Sequence, residues 1–402
     1  MSDPDRVSLK FKGSGSEYFA IWIVNVILSA LTLGIYSAWA KVRTKRYLYG
    51  NTSIDDASFE YHADPITILK GRLIAFALLF VYFVFSKFYP LFSLIFIPIF
   101  ALVVPWVIWR SIIFNAKMSS IRNVRFGFRG DLKGSYLYYL VVPFSPILLF
   151  LLLGFAYSAI FTGFPIGDFA YYLERMLIYP KYYIPEISIT FVGFIVSFFL
   201  TPYVHKLRMS YYINNMYYGQ GRFSTNIFAS RFYLIDIVAF LIPVGVVILV
   251  MTLIYMAIVG IVAVSDGLGN EQVLLPIFMS LGLLLVYLLL FSTVLLGKAY
   301  FTAQLRKYVY ANTKLDDSIG LGSDLNIWHL FWIYLSNFLL LIFTLGFAYP
   351  WTVIRTARYM VETVSLSNAE ALSQFVSEQQ QQQSALGEEM VDAFDVDIGI
   401  DF

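Results

Sequence analysis

Cysteine is absent from the 402 residues, and histidine occurs three times, at His62, His205 and His329. The first absence excludes a disulfide framework, a thiol nucleophile, thiolate metal ligation and iron–sulfur clusters. The second leaves no pair of imidazoles at ligand spacing, so neither a metal nor a cofactor is expected. Charge is scarce as well. Asp, Glu, Lys and Arg supply 13% of the chain, against roughly 25% in soluble domains, which excludes a water-soluble globule. Apolar and aromatic residues take their place: 59% hydrophobic and 19% aromatic, with 38 Phe and 30 Tyr.

A helix needs about 20 mostly apolar residues to cross roughly 30 Å of hydrocarbon. Stretches 66–86, 91–116, 136–161, 187–213, 232–264 and 274–303 qualify. Two shorter runs, 18–34 and 327–346, end in the same Thr-Leu-Gly. The polar N-terminal segment lacks the apolar core and small-residue cleavage site of a signal peptide, so the first hydrophobic run is expected to be retained. Of the 28 Lys and Arg, Lys87, Arg175 and Lys181 alone fall on one side of the spans, leaving 25 on the other. The positive-inside rule puts the side with 25, and with it both termini, in the cytoplasm. The mildly acidic loops 162–186 and 265–272 are then extracytoplasmic.

Self-comparison shows repetition, which decides architecture before any local signal does. SIDDASFEYHAD from Ser53 aligns without a gap to SIRNVRFGFRGD from Ser120, pairing Ile54 with Ile121 and Phe59 with Phe126. KRYLYGNTSIDD from Lys45 matches RKYVYANTKLDD from Arg306. The first and last units align through Asn25/Asn337, Thr32-Leu33-Gly34/Thr344-Leu345-Gly346, Trp39/Trp351, Arg43/Arg355, Arg46/Arg358 and Tyr47/Tyr359. One unit reads as a short extended segment, a helix going out, and a helix returning to a basic, aromatic end. Period-2 alternation at Phe59-x-Tyr61, Phe126-x-Phe128 and Leu9-x-Phe11 marks the extended segments. They are expected to gather in a small sheet under the cytoplasmic headgroups, since open backbone cannot face lipid. The fold expected is an all-α polytopic membrane protein of repeated helical hairpins with short cytoplasmic juxtamembrane β segments. Its transmembrane domain, 1–366, divides into units near 7–50, 51–117, 118–216, 217–312 and 313–366, followed by an acidic, Gln-containing tail, 367–402. The two short runs are read as re-entrant or short hairpins tipped by Thr-Leu-Gly; the alternative is a full span followed by an amphipathic surface helix.

Two sets of residues are candidates for function. Asn25 and Asn337 lie inside apolar runs at equivalent repeat positions, where an unpaired amide costs several kcal/mol. They are read either as helix–helix hydrogen bonds or as a polar site on a pseudo-symmetric axis. Arg43, Arg110, Arg208 and Arg355 follow an aromatic by about one helical turn, three of them pairing with Trp39, Trp106 and Trp351. Interfacial anchoring by snorkelling accounts for such pairs; a belt for an anionic ligand or lipid headgroup is the functional reading. Asp55-Asp56 and Asp316-Asp317 read as turns. No nucleophile, metal cluster or carboxylate pair stands inside the membrane, so no enzyme activity is expected.

The tail carries Gln379–Gln383 and, from Ser367 onward, acids without Lys or Arg. Its polar part reads as a linker or frayed helix, and its end, EEMVDAFDVDIGIDF, as a strand added to the protein's own sheet or to a partner. LTLGIYSAWAKVRTKRYLYGNTSID, FEYHADPITILKGRLI and the terminal FDVDIGI resemble the YjgN-like family of bacterial inner-membrane proteins, a group of unknown function. The resemblance covers essentially the whole chain and implies a bacterial inner membrane, without a reaction or substrate. A transporter- or channel-like protein for a small or lipid-like solute is expected, the alternative being a scaffold that recruits a partner through its tail. Membrane lipids are the expected partners, a homo-oligomer is compatible with the pattern, and nucleic acid is not expected.

Overall fold

The computed structural model describes residues 6–88, 92–161, 169–265 and 274–386. Strands β1 (Arg6–Ser8) and β2 (Lys10–Phe11) lead into α1 (Gly15–Leu31) and α2 (Ser37–Gly50). β3 (Thr52–Ile54) and β4 (Ala57–Tyr61) lead into α3 (Pro65–Phe88) and α4 (Phe92–Lys117). β5 (Ser119–Ile121) and β6 (Val124–Phe128) lead into α5 (Leu132–Tyr136), a π-helical turn (Leu137–Val141), α6 (Val142–Phe161), α7 (Phe169–Ile178) and α8 (Ile184–Asn214). β7 (Met216–Tyr218) and β8 (Gly221–Thr225) precede α9 (Ala229–Ser265) and α10 (Leu274–Ala311). β9 (Thr313–Leu315) and β10 (Ile319–Ser323) precede α11 (Ile327–Phe343) and α12 (Tyr349–Glu362), after which come β11 (Val364–Ser367) and α13 (Ala369–Leu386).

The expectation of an all-α fold is wrong. Eleven strands form one antiparallel sheet in the order β1-β11-β10-β9-β8-β7-β6-β5-β4-β3-β2. β1 and β2 are consecutive halves of one extended stretch: Arg6 to Ser8 pair with β11, and Lys10 and Phe11 with β3. Between them Leu9 N donates to Val364 O at 3.0 Å. The two ends of the sheet therefore meet, and ten extended stretches close into a barrel with no free edge, which removes the hazard of unpaired strand groups. Each strand is two to five residues long, too short to weigh in composition, and half of its pairing is to a stretch more than 40 residues away. That is why the sequence pattern did not reveal a closed sheet.

Turn chemistry sets the hairpins. Asp55 and Asp56 (φ 46° and 61°) join β3 to β4, and Arg122 and Asn123 (φ 51° and 64°) join β5 to β6. Two successive left-handed residues match the twist of the flanking strands, and Asn and Asp tolerate that region. The fifth hairpin, β11 with β1–β2, has no covalent turn and is assembled from the two ends of the chain.

Each β-hairpin joins two helical hairpins, and the returning helices α2, α4, α8, α10 and α12 pack on β4, β6, β8, β10 and β2 in turn. A tyrosine near the end of four of them latches the loop before its own outgoing helix. Tyr47 OH donates to Ser14 O (3.0 Å) and Tyr211 OH to Asp131 O (2.6 Å), while Tyr308 and Tyr359 accept from Phe228 N and Asn326 N (2.8 Å each). Contacts to the next unit close the ring: Arg46 to Ala63 O (3.0 Å), Trp109 to Gly130 O (2.7 Å), and Arg358 across the chain ends to Gly13 O (2.8 Å). α1 also packs on α12, with the Phe19 and Trp351 rings 5.2 Å apart.

Among the described residues six helices are long and apolar enough to cross a membrane. Large side chains such as Phe76, Phe80, Phe144 and Phe199 stand exposed along them, the surface a bilayer covers. α1 and α11, at 17 residues, are shorter. Each turns back through Thr-Leu-Gly, where Leu33 and Leu345 are left-handed (φ 51° and 50°) and Gly34 and Gly346 sit at φ 90° and 89°. Thr32 Oγ1 donates to Leu28 O and accepts from Tyr36 N; Thr344 repeats both bonds with Leu340 and Ala348. Lys87, Arg175 and Lys181 lie at the helix ends remote from the barrel, each over an aromatic ring. The loop residues 162–168 and 266–273 lie outside the described residues.

Candidate functional site

The wall of the barrel interior is built from one apolar cross-strand pair at each junction between hairpins. Phe59 faces Ile121, Phe126 faces Tyr218, Phe223 faces Leu315 and Leu321 faces Leu366. Pairing of Lys10 with Ser53 sets Leu9 beside Ile54 as the fifth. The sequence carried this as Ile54/Phe59, Ile121/Phe126 and Tyr218/Phe223, each five residues apart; Leu315/Leu321 needs six because Asp316, Asp317 and Ser318 make a longer turn.

These residues line a half-open cavity of about 320 Å³. Its lining is apolar save for the Arg122 side chain and the phenols of Tyr218 and Tyr310. Arg122 is engaged by Asp55 at 2.9 Å. Tyr218 donates to Ile121 O at 3.0 Å, and burial pushes its phenol up to about 12, so it remains a neutral donor.

α13 closes the chamber. Leu372, Phe375, Val376 and Gln379 are buried and fall at i, i+3, i+4 and i+7, one stripe of the helix. Asn368 Oδ1 accepts from Ala371 N at its start, and Gln379 Oε1 accepts from Gln220 N at 2.7 Å near its end. Two glycines make the seat: a Cβ on Gly221 would stand 2.4 Å from the Phe375 ring, and one on left-handed Gly219 2.4 Å from Gln379 Oε1. The polar part of the tail is thus a docked helix, and the overlooked signal was its apolar stripe among Ser, Glu and Gln. The terminal segment 387–402, read as a strand, lies outside the described residues.

The two candidate asparagines do not meet. Asn25 Nδ2 donates to Ala40 O (3.4 Å), and Asn337 Nδ2 to Thr352 O (3.3 Å) and Thr356 Oγ1 (3.0 Å). Each ties the two helices of its own short hairpin, 15 residues apart in the chain. The four arginines stand on α2, α4, α8 and α12, one per unit, as a ring and not a cluster. Arg43 reaches Tyr36 OH at 3.4 Å, and Arg355 reaches Ser336 Oγ at 2.7 Å. Arg208 Nε donates to Tyr138 O at 3.0 Å and its guanidinium lies 4.8 Å from the Tyr139 ring. The Tyr138 carbonyl is open to it because the π-turn directs it at Pro143, which has no N–H. Arg110 and Trp106 are half-buried on α4, and Trp39 packs beside Ala38, Val42 and Phe114. Trp351 and Arg355 do share a site, an open cleft of about 380 Å³ with His329 and Arg358.

Two intramembrane features escaped sequence reading. Glu186, taken for a loop acid, is 1% exposed at the start of α8 beside Gly154, with Oε2 unpartnered among the described residues. His205 Nδ1 and Asp236 Oδ2 meet at 3.1 Å between α8 and α9. Asp55 and Asp317 are turn residues engaged by Arg122 and Ser224.

Among the described residues, six membrane-length helices capped with a closed strand layer define a polytopic integral membrane protein. The chain belongs to the family described as bacterial protein of unknown function (DUF898), which matches residues 6–393, from β1 to beyond α13. It is similar to inner membrane protein YjgN of Salmonella typhimurium, 23% identical over 368 residues, 90% of this chain and 89% of that one. The protein of that name from Escherichia coli K12 is 25% identical over 320 residues, covering 77% of this chain and 75% of the relative. No solved structure matches. This is a bacterial inner-membrane protein.

Proposed function

We propose that the protein is a gated conduit for a lipid-like solute, with the barrel and both described chain ends on the cytoplasmic side and α13 as the gate. The observation that carries this reading is the apolar chamber inside a closed barrel, stacked on a ring of helical hairpins and stopped by the chain's own C-terminal helix. Apolar walls favour a hydrocarbon solute over an ion. A second apolar cleft of about 460 Å³ among α3, α4 and α6, lined by Tyr82, Phe96, Phe100 and Phe144, offers lateral access from lipid. The bias of basic residues toward the barrel side supports the orientation. Arg43, Arg110, Arg208 and Arg355 then stand where headgroups arrive, with Trp39, Trp106 and Trp351.

The rival reading is a scaffold whose acidic tail recruits a partner. It draws on the position of 387–402 directly after α13, so that a partner holding that segment would pull on the gate. Reconstituted vesicles carrying a fluorescent phospholipid separate the two. A chain ending at Asn368 should move the probe at least several-fold faster than the full chain. An oxidised pair of Gln220→Cys and Gln379→Cys should slow it, reversibly with reductant. Rates equal to protein-free vesicles in all three proteins reject the conduit.

A further inference from the structure

We infer that the barrel chamber binds a single acyl chain terminated by an anionic group, with α13 forming one wall and the lid. The inference rests on the conduit reading only for the route by which the chain arrives. A chamber of about 320 Å³ among side chains such as Ile54, Phe126 and Leu366 offers water few polar partners and matches the methylenes of a hydrocarbon chain. Aliphatic and aromatic side chains from all five cross-strand pairs line it, which suits a hydrocarbon chain.

The end of the occupant is fixed by charge. Among the described residues Arg122, on the β5–β6 turn, is the charged residue lining the chamber, and Asp55, one of its partners, is 61% exposed. A carboxylate or phosphate oxygen entering beside Asp55 gains a bidentate donor without leaving Asp55 buried, since that carboxylate returns to water. Leu372 and Val376 of α13 line the same cavity, so the occupant touches the lid directly. Filling the chamber and seating α13 are therefore coupled through shared contacts, and a bulkier chain lifts the helix.

The test uses the full chain in native membranes. A photoreactive Phe126→benzoylphenylalanine reports on the chamber, Leu366→benzoylphenylalanine repeats it from the opposite wall, and Phe76→benzoylphenylalanine, on a side chain 68% exposed along α3, is the bilayer control. After irradiation, intact-mass analysis should find an acyl-chain adduct at both chamber positions. The adduct mass tells a free fatty acid from a phospholipid. Arg122→Gln should lower the chamber yield at least several-fold and leave the Phe76 yield unchanged. Crosslinks to α13 alone at both chamber positions, or an Arg122→Gln yield equal to the parent, would overturn the inference. An adduct without vesicle flux keeps this site and rejects the conduit; flux without an adduct does the reverse.

Discussion

Asn25 and Asn337 show how much one residue type can state alone. An amide inside an apolar run must find a partner, and each finds it 15 residues later, on the helix returning from Thr-Leu-Gly. The need was legible in the sequence, and so was the pairing of the two positions by repeat. The partner was not, because it depends on the turn bringing Ala40 or Thr352 back alongside. The two clasps differ in strength: Asn337 makes two bonds, Asn25 one long one, and the Oδ1 of each lacks a partner among the described residues. Intramembrane hydrogen bonds contribute about 0.6 to 2 kcal/mol. Asn337→Ala is therefore expected to lower unfolding stability in detergent by about 1–2 kcal/mol, and Asn25→Ala by less. Equal losses, or none, would count against the clasp.

At the scale of the element, α13 is the part that composition misled. Its Gln-rich run reads as solvated, yet Leu372, Phe375, Val376 and Gln379 share one stripe and bury it against a surface that other units supply. A helix whose stability comes from packing, not propensity, is poorly visible in its own sequence. Gly221 tests the seat, since any side chain there collides with Phe375. Gly221→Val should release α13 and speed limited proteolysis within 369–386 at least tenfold, with helical content otherwise preserved. Gly50→Ala, at a glycine facing open space, is the matched control and should leave cleavage unchanged. Release without faster cleavage is not expected, because the freed stretch would be an isolated, marginal helix.

The whole molecule is a ring made from a linear chain. Four β-hairpins are covalent and the fifth is assembled from Arg6–Ser8 and Val364–Ser367, so closure of the barrel coincides with meeting of the chain ends. Joining Ser367 to Arg6 through an Asn-Gly turn and opening the chain between residues 265 and 274 should give a protein that folds with the same six spans. Its unfolding midpoint should exceed that of a linear chain ending at Ser367, because the loop-closure entropy of the fifth hairpin is no longer lost on folding. A lower midpoint would mean that the ends are not held in the hairpin register.

Composition and periodicity by themselves determined the membrane class and the six long apolar spans. Those properties depend on transfer of side chains from water to lipid and on spacing within 20 to 40 residues, both of which are local. Even strand segments such as Phe59-x-Tyr61 were visible locally. Tertiary structure alone decided that these short strands close into a barrel, that the chain ends complete it, and that a polar-looking helix stops its mouth. Each strand has too few residues to hold a conformation of its own, and its free energy comes from neighbours one unit away. The chamber is likewise owned by no single segment: each unit contributes one apolar pair, and only the closed ring turns five pairs into a site.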